Sequence, residues 1–194
     1  MKLAMVDLGC GNTGSVSMAL ERLGITSELT VDPEVITSAD KVLLPGVGAA
    51  GYAMDQVRRL GLGDVLRTLD RPALGICLGM QLLFERSEED EGVETLGIIQ
   101  GSVRKLGAAP GRPVPHMGWS KLEVFDDSVG LSYGDYVYFA HSFACDDGPA
   151  SVARAQYGRP VPAVVRKNNW TGAQFHPERS GPVGARFIET WLNS

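Results

Sequence analysis

The sequence predicts a single α/β domain over residues 1–194, with a mostly parallel central sheet, helices on both faces, and additional antiparallel or mixed strands. In the first half, short apolar runs alternate with segments of helical periodicity, which is typical of parallel strands joined by helices. In the second half, short strand-like runs follow one another with turn residues between them. The chain then ends in one segment with helical spacing.

The predicted elements of the first half begin with a strand at residues 3–8. A helix follows, in which Val16, Leu20 and Leu23 recur at helical spacing before Gly24. The next predicted segments are strands at 25–31 and 41–44, a helix at 52–69, a strand at 72–76 and a helix at 78–85. The alternation of strands and helices predicts a sheet covered on both faces.

The second half is dominated by strands. They are predicted at 97–105, 122–125, 136–143, 151–157, 161–165 and 171–175. A final helix at 183–192 carries Phe187, Ile188 and Trp191 on one side. We interpret these strands as an extension of the same domain.

Composition excludes several classes of protein. Hydrophobic residues make up 44% and charged residues 21% of the chain, the balance of a globular protein, and the net charge of −5 argues against a nucleic-acid partner. No apolar run reaches the roughly 18–20 residues of a membrane span, and the N-terminus lacks the pattern of a signal peptide. Three widely spaced cysteines indicate a reducing compartment and hence the cytoplasm. The acidic run at 87–91 is interpreted as a solvated loop after a helix.

The strongest candidate for a nucleophile is Cys77. It stands between a predicted strand and a predicted helix, with Gly75 and Gly79 two residues away on each side, which is the pattern of a nucleophile elbow. The helix N-terminus would favour the thiolate, and the N–H of Leu78 could stabilise an oxyanion. The alternative is a structural cysteine packed beneath the helix. Cys10 and Cys145 lack this context.

A proton shuttle for this nucleophile is predicted at His176. The residue follows a strand, Pro177 ends that strand, and Glu178 could fold back to orient the imidazole. The alternative is a histidine satisfied at the sheet edge, with Glu178 capping the last helix. No second histidine or cysteine lies at metal-ligand spacing, so a metal site is not expected. No cofactor is expected either, because cysteine chemistry with an oxyanion hole is sufficient.

Two unrelated functions compete with this interpretation. Gly9, Gly11 and Gly14 satisfy the G-x-G-x-x-G pattern of dinucleotide-binding oxidoreductases, with Asp32 as the acidic residue further on. Such a function leaves the Cys77 elbow and the His176 segment unexplained. A chaperone or redox sensor built on an elbow cysteine would not need a glutamate beside that histidine.

With these residues in view, the chain resembles the triad-type (class I) glutamine amidotransferases over essentially its whole length. The resemblance covers the segments at 7–12, 44–48, 75–81 and 176–181. Two further segments, Pro-His-Met-Gly-Trp at 115–119 and Tyr-Phe-Ala-His-Ser-Phe at 138–143, resemble the branch of glutaminase subunits that work with a cyclase in imidazole glycerol phosphate synthesis. Sister glutaminases of other pathways would share the triad and lack those two segments.

The resemblance implies roles for particular residues. Cys77 would attack the glutamine amide, His176 would shuttle protons and Glu178 would orient His176. The remaining implied residues are Val47 and Leu78 for the oxyanion hole, Gly48, Gln81, Ser142 and Phe143 for glutamine, and Asn12, Trp119, Tyr138 and Arg179 for the cyclase interface. Glutamine would be the substrate and the cyclase subunit the partner in a heterodimer. His116 and His141 match the branch, not the triad.

The chain departs from the family pattern at three places. Ser120 stands where asparagine is common, and Phe143 stands where tyrosine is common. The first glycine-rich loop usually continues with asparagine and then an apolar residue, and here it reads Asn12-Thr13-Gly14. These positions lie in the implied interface and at the rim of the implied glutamine pocket.

Overall fold

The computed structural model of the protein describes residues 1–194. Six α-helices are present, namely α1 (Thr13–Arg22), α2 (Pro33–Ser38), α3 (Ala50–Arg59), α4 (Leu62–Arg67), α5 (Leu78–Gln81) and α6 (Gly181–Leu192). The strands are β1 (Leu3–Val6), β2 (Glu28–Thr30), β3 (Lys41–Gly46), β4 (Ala73–Cys77), β5 (Arg86–Ser87), β6 (Val93–Glu94), β7 (Ser102–Lys105), β8 (His116–Val124), β9 (Tyr136–His141), β10 (Phe143–Cys145), β11 (Ser151–Gln156), β12 (Pro160–Lys167) and β13 (Trp170–Ala173). Three short 3-10 helices lie at Glu89–Glu91, Asp127–Val129 and Pro177–Arg179.

The strands form a sheet of nine and a smaller sheet of four. The large sheet has the order β2-β1-β3-β4-β13-β12-β11-β8-β9, and the small sheet has the order β10-β7-β5-β6. In the large sheet, β2 to β13 pair in parallel and β13 to β9 pair antiparallel. The predicted α/β class with parallel strands and added antiparallel ones is confirmed.

Both faces of the large sheet are covered, as the apolar strands predict. Along β1, Leu3 and Met5 contribute to one apolar core, and Ala4 and Val6 contribute to the other, because successive side chains of a strand point to opposite faces. Helices α1 and α6 supply buried residues to the first core, and α2, α3, α4 and α5 supply them to the second. No helix in the structure is both long enough and apolar enough to cross a membrane.

Several predicted boundaries were wrong. The helical pattern at 52–69 is two helices, because Gly61 adopts a φ of +67° between α3 and α4. Helix α2 was not predicted; Asp32 caps it by accepting a hydrogen bond from the N–H of Glu34 at 2.8 Å. The predicted strand at 136–143 is divided into β9 and β10, which belong to different sheets. The strand predicted at 122–125 begins earlier, at His116.

The sheet brings three segments of interest to one edge. Strand β4 lies between β3 and β13, and all three run in parallel. Their carboxyl ends therefore meet, and loops that follow parallel strands at such an edge commonly form binding sites.

Candidate active site

Cys77 occupies a strained turn at the end of β4. Its backbone has φ 54° and ψ −106°, a conformation that residues with a side chain rarely adopt, and α5 begins at the next residue. Strain of this kind is typical of functional sites, where the surrounding structure enforces it. The turn therefore has the backbone geometry that the sequence predicts for a nucleophile elbow.

The two flanking glycines are required by close packing. A Cβ atom on Gly75 would lie 2.6 Å from the carbonyl oxygen of Gly79. A Cβ atom on Gly79 would lie 1.9 Å from the carbonyl oxygen of Leu44 in β3. Glycine at both positions lets the elbow lie directly against the neighbouring strand.

The helix that follows Cys77 is shorter than predicted. Helix α5 ends at Gln81, after one turn, whereas the sequence predicted a helix to residue 85. The chain continues in tight turns, in which the N–H of Leu83 donates to the Met80 carbonyl and that of Phe84 to the Gln81 carbonyl. A single turn has few aligned peptide groups, so the helix dipole assists a thiolate less than the predicted helix would.

His176 and Glu178 lie at the end of the adjacent strand. Pairing of Ala173 with Ile76 brings the end of β13 beside the end of β4. Nδ1 of His176 lies 2.8 Å from Oε1 of Glu178, and the two side chains are 7% and 1% exposed. Helix α6 begins after Ser180 without a side-chain cap, so the alternative in which Glu178 caps that helix is wrong.

Opposing effects set the protonation of His176. Burial by itself lowers the pKa of His176, but hydrogen bonds to the Cys77 sulfur and to Glu178 outweigh burial and raise the pKa to about 10. Because Nδ1 contacts Glu178, Nε2 is the nitrogen left for the sulfur. The contacts with the sulfur and the carboxylate therefore favour the protonated form of the imidazole.

The segment after β3 lies alongside the elbow. Gly46, the last residue of β3, is the register partner of Cys77, and a Cβ atom on Gly46 would lie 3.0 Å from Cβ of Leu78. Val47 follows and is 38% exposed, and Gly48 adopts a φ of +110°. Val47 and Leu78 thus each directly follow a member of the register pair Gly46–Cys77.

A cleft of about 250 Å³ opens above Cys77. Its walls include both residues predicted for the oxyanion hole and all four predicted for glutamine, together with residues that were not predicted. The lining residues are Val47, Gly48, Cys77, Leu78, Gln81, Glu89, Pro115, Met117, Ala140, His141, Ser142 and Phe143. Glu89 is the one acidic residue among them, and no lysine or arginine contributes.

The acidic run at 87–91 is exposed at Glu88, Asp90 and Glu91, as predicted for a solvated loop, but two of its carboxylates bond to the start of α3. Oε2 of Glu89 accepts a hydrogen bond from the N–H of Ala50 at 2.8 Å, and Oδ2 of Asp90 accepts one from the N–H of Gly51 at 3.0 Å. These carboxylates satisfy the first N–H groups of α3, where negative charge is favourable. Burial raises the pKa of Glu89. No local sequence signal reports this pairing across about 40 residues.

Three of the four residues predicted for a partner interface form one surface cluster. The ring of Trp119 meets the ring of Tyr138 edge-on at 6.1 Å, and the guanidinium of Arg179 lies 4.7 Å from the centre of the Tyr138 ring. The Trp119 side chain is 55% exposed, which excludes a place in the core. Asn12 is exposed at the start of α1, where its side chain accepts a hydrogen bond from the N–H of Ser15.

The other histidines and cysteines make no hydrogen bond to His176 or Glu178. His116 and His141 are buried and bonded to one another, with Nδ1 of His116 at 3.1 Å from Nε2 of His141. Burial raises the pKa of the Cys145 thiol, and burial together with the charge of Asp7 raises that of Cys10. No group of three or more histidine, cysteine, aspartate or glutamate side chains is placed to hold a metal ion.

The glycine-rich turn at 9–14 lacks a second feature of a dinucleotide site. Asp32, the residue that would bind a ribose, is engaged as the cap of α2. Gly9 adopts a φ of +67°, as a tight turn between β1 and α1 requires. The turn is accounted for by chain geometry.

Comparisons with known proteins agree with this geometry. Residues 4–193 match the family model described as glutamine amidotransferase class-I. The subunit HisH of imidazole glycerol phosphate synthase from Escherichia coli strain K12 is 46% identical over 198 residues, covering 99% of each chain. The HisH subunit from Yersinia pestis is 43% identical over 195 residues, again with 99% of each chain covered.

Solved structures support the fold. A structure described as a glutamine amidotransferase has a TM-score of 0.75 at 21% identity, covering 98% of this chain and 97% of its own. The structure of PurLQS from Thermotoga maritima has a TM-score of 0.70 at 20% identity, covering 99% and 97%. The family match and the full-length relatives together identify the family: this chain belongs to the class I glutamine amidotransferases.

Proposed function

We propose that this chain is the glutaminase subunit of an imidazole glycerol phosphate synthase. It hydrolyses L-glutamine to glutamate and ammonia and supplies the ammonia to a cyclase subunit. The cyclase makes imidazole glycerol phosphate and aminoimidazole carboxamide ribotide in histidine biosynthesis. The observation that carries the proposal is the contact of His176 with both Glu178 and the sulfur of Cys77, the residue of the three that lines the cleft. All three cysteines are unpaired, which fits a reaction in the cytoplasm.

The first half-reaction forms a thioester. The Cys77 sulfur attacks the side-chain amide carbon of glutamine, and a carbon–sulfur bond forms as the carbonyl oxygen takes the negative charge. His176 then donates its proton to the departing nitrogen, the carbon–nitrogen bond breaks and ammonia leaves. Glu178 holds the imidazole by Nδ1 and stabilises its positive charge.

The second half-reaction releases glutamate. Water occupies the place that ammonia vacates, and neutral His176 accepts a proton from it as its oxygen attacks the thioester carbon. The carbon–sulfur bond breaks, glutamate leaves, and Cys77 and His176 return to their starting state. No cofactor or metal takes part, because cysteine chemistry and hydrogen-bond donors are sufficient.

The oxyanion of each tetrahedral intermediate needs hydrogen-bond donors. We assign this role to the N–H groups of Val47 and Leu78, which belong to the two segments that meet at the elbow. Leu78 is the first residue of α5, so its N–H has no acceptor within that helix. One such donor contributes about 10²–10³ in kcat.

Recognition of glutamine requires groups for its charged main-chain atoms. We assign the α-ammonium to Glu89, because its carboxylate supplies the one negative charge in the lining. The walls formed by Gly48, Gln81, Ser142 and Phe143 offer neutral donors and acceptors to the rest of the substrate. An ammonium beside Glu89 would also offset the effect of burial on this carboxylate.

The partner face is assigned to the surface cluster of Trp119, Tyr138 and Arg179, together with Asn12. Met117 is 64% exposed on the same strand as Trp119 and also lines the cleft. Exposed aromatic and arginine side chains are the residues that most often dominate protein interfaces. A partner bound there would lie beside the cleft, where ammonia is released.

The test compares glutamate release by the wild-type chain and by two cysteine variants. We expect Cys77→Ser to abolish hydrolysis without loss of the fold, and Cys10→Ser, as the matched control, to retain hydrolysis. Rates should be measured for the chain alone, with the cyclase, and with the cyclase and its nucleotide substrate. Full hydrolysis by Cys77→Ser would overturn the mechanism. A complex whose cyclase reaction gains nothing from glutamine would overturn the choice of partner and leave the glutaminase activity standing.

A further inference from the structure

A series of hydrogen-bonded polar side chains, called here the hydrogen-bond chain, leads from strand β8 towards Cys77, and the mechanism above gives its serine and its histidines no role. Its outer end is Ser120, whose Oγ lies 2.8 Å from Nε2 of His116. Nδ1 of His116 lies 3.1 Å from Nε2 of His141, and Nδ1 of His141 lies 2.8 Å from the carbonyl oxygen of Phe143. The two histidines are register partners on β8 and β9.

The chain continues from Phe143 to the nucleophile. The same Phe143 carbonyl accepts a hydrogen bond from Nε2 of Gln81 at 2.8 Å. Nε2 of Gln81 also donates to Oε1 of Gln174 at 3.0 Å, and Nε2 of Gln174 donates to the Cys77 sulfur at 3.7 Å. Gln174 is fully buried, so its amide has no contact with solvent.

The direction of each hydrogen bond in the hydrogen-bond chain follows from the Phe143 carbonyl, which can only accept. A carbonyl oxygen can only accept, so His141 carries its proton on Nδ1 and accepts on Nε2. His116 must then donate from Nδ1 and accept on Nε2, and the Ser120 hydroxyl must donate to it. These directions hold for neutral rings, and each histidine then has one defined tautomer.

The surroundings hold this arrangement in place. The ring of His116 is stacked between Phe139 and Tyr157, with ring centres at 4.7 and 3.9 Å. His116 and His141 are 3% and 5% exposed, and burial lowers the pKa of each to about 4. A neutral pair is therefore maintained at neutral pH.

We propose that Ser120, His116 and His141 are positioning residues, which fix the Phe143 carbonyl and, through the amides of Gln81 and Gln174, the Cys77 sulfur. Both acceptor sites of the Phe143 carbonyl are occupied, one by the histidine side and one by the amide side. Loss of the His141 hydrogen bond would free that carbonyl to move. The amide of Gln81, which lines the glutamine cleft, would lose its fixed partner.

This proposal rests on the proposed function and extends it to the partner face. Ser120 directly follows Trp119, which belongs to the exposed cluster assigned to the cyclase. Ser120 also stands where the family commonly has asparagine, and here its hydroxyl donates to Nε2 of His116. The chain thus connects the residue next to the surface cluster with the nucleophile by consecutive hydrogen bonds.

The first test is spectroscopic and needs no substrate. In the ¹⁵N-labelled full chain at neutral pH, the ring nitrogens of His116 and His141 should show the neutral tautomer protonated on Nδ1. Ser120→Ala should change the Nε2 shift of His116, because that nitrogen loses its donor. A proton on Nε2 of His141, or a doubly protonated ring, would overturn the proposal.

The second test separates positioning from simple packing by kinetics in the complex with the cyclase. His141→Phe should lower kcat/KM for glutamine by about 10- to 100-fold, because two buried partners lose a hydrogen bond. His141→Asn keeps a donor near the position of Nδ1 and should recover activity to within about 5-fold of the wild type. Tyr157→Phe, the matched control, keeps the stacked ring outside the chain and should leave kcat/KM unchanged.

The same variants, each also carrying Cys10→Ser, should be treated with iodoacetamide, so that the alkylation rate reports the reactivity of the Cys77 sulfur without glutamine. If the hydrogen-bond chain positions the sulfur, alkylation should be slower in His141→Phe and should return towards the wild-type rate in His141→Asn. Equal losses of rate and of melting temperature in both variants would mean a packing role only and would overturn the proposal. A wild-type protein that releases no glutamate would instead overturn the proposed function. The alkylation rates would still test the positioning role of the hydrogen-bond chain.

Discussion

Replacing Gly79 with alanine introduces a methyl group where the backbone of β3 already lies. The added Cβ atom would stand 1.9 Å from the Leu44 carbonyl oxygen and 2.9 Å from its carbon. An ordinary carbon–oxygen contact is about 3.4 Å, so the elbow and β3 must separate by about 1.5 Å. Both partners are backbone, and neither can rotate away as a side chain could.

The expected cost follows from this overlap. Overpacking of a dense core typically destabilises a protein by about 1–3 kcal/mol, and a backbone clash belongs at the upper end of that range. At about 2–4 °C per kcal/mol for a chain of this length, the melting temperature should fall by about 6–12 °C. Val47 follows β3 by one residue, so the same displacement should misplace the proposed oxyanion donor and lower kcat by about 100-fold.

Thermal unfolding by circular dichroism and glutaminase assays of the complex measure these two effects. Gly14→Ala is the matched control, because a Cβ atom at that position of α1 meets nothing within 4 Å. It should raise the free energy of unfolding by about 0.5–1 kcal/mol, the usual gain for alanine over glycine in a helix. A Gly79→Ala variant with wild-type melting temperature and activity would refute the reasoning from the contact distances.

Changes at the triad, at the buried histidine pair and at the surface cluster should have separable effects. Glu178→Gln should lower kcat by about 10- to 100-fold with a small change in melting temperature, because a neutral amide can accept from Nδ1 without stabilising the imidazolium; unchanged kcat would exclude the orienting role. Stability should fall as the pH drops from 6.5 towards 4, because His116 and His141 bind protons in the unfolded chain before they do in the folded one. Urea unfolding should show that the free energy of unfolding falls by about 2–4 kcal/mol by pH 5. This loss should be absent when His116 and His141 are both replaced by phenylalanine, and an equal pH dependence in the two proteins would contradict the assignment. Trp119→Ala should weaken binding to the cyclase by about 2 kcal/mol in titration calorimetry, yet leave the melting temperature of the free chain unchanged because the side chain is exposed; unchanged binding would refute the interface role of Trp119.

The parts of the site that the sequence predicts are those encoded by neighbouring residues. The elbow is one example, since Gly75 and Gly79 flank Cys77 and the strain and close packing both arise within that segment. The pair of His176 and Glu178 is another, because one 3-10 turn after Pro177 is enough to join them.

The parts that the sequence does not predict depend on contacts between distant residues. Glu89 reaches the start of α3 from 39 residues away, and Gln174 approaches the Cys77 sulfur from 97 residues away. Helix boundaries were missed for a local reason as well, since Gly61 can either continue or interrupt an apolar helical pattern. The packing of complete elements decides between those outcomes, and the apolar pattern alone does not.

The proposed triad is divided between the end of β4 and the segment that follows β13, and this has a consequence for folding. These strands are direct neighbours in the sheet although Cys77 and Gln174 are 97 residues apart, and the contact must close a long loop of chain. Contacts between such distant segments form slowly, because closing the loop costs entropy before the pairing compensates for it. A chain in which only the first four strands have formed has a cysteine and no base. Recovery of glutaminase activity during refolding should therefore report the pairing of β4 with β13, after most of the helical signal has returned.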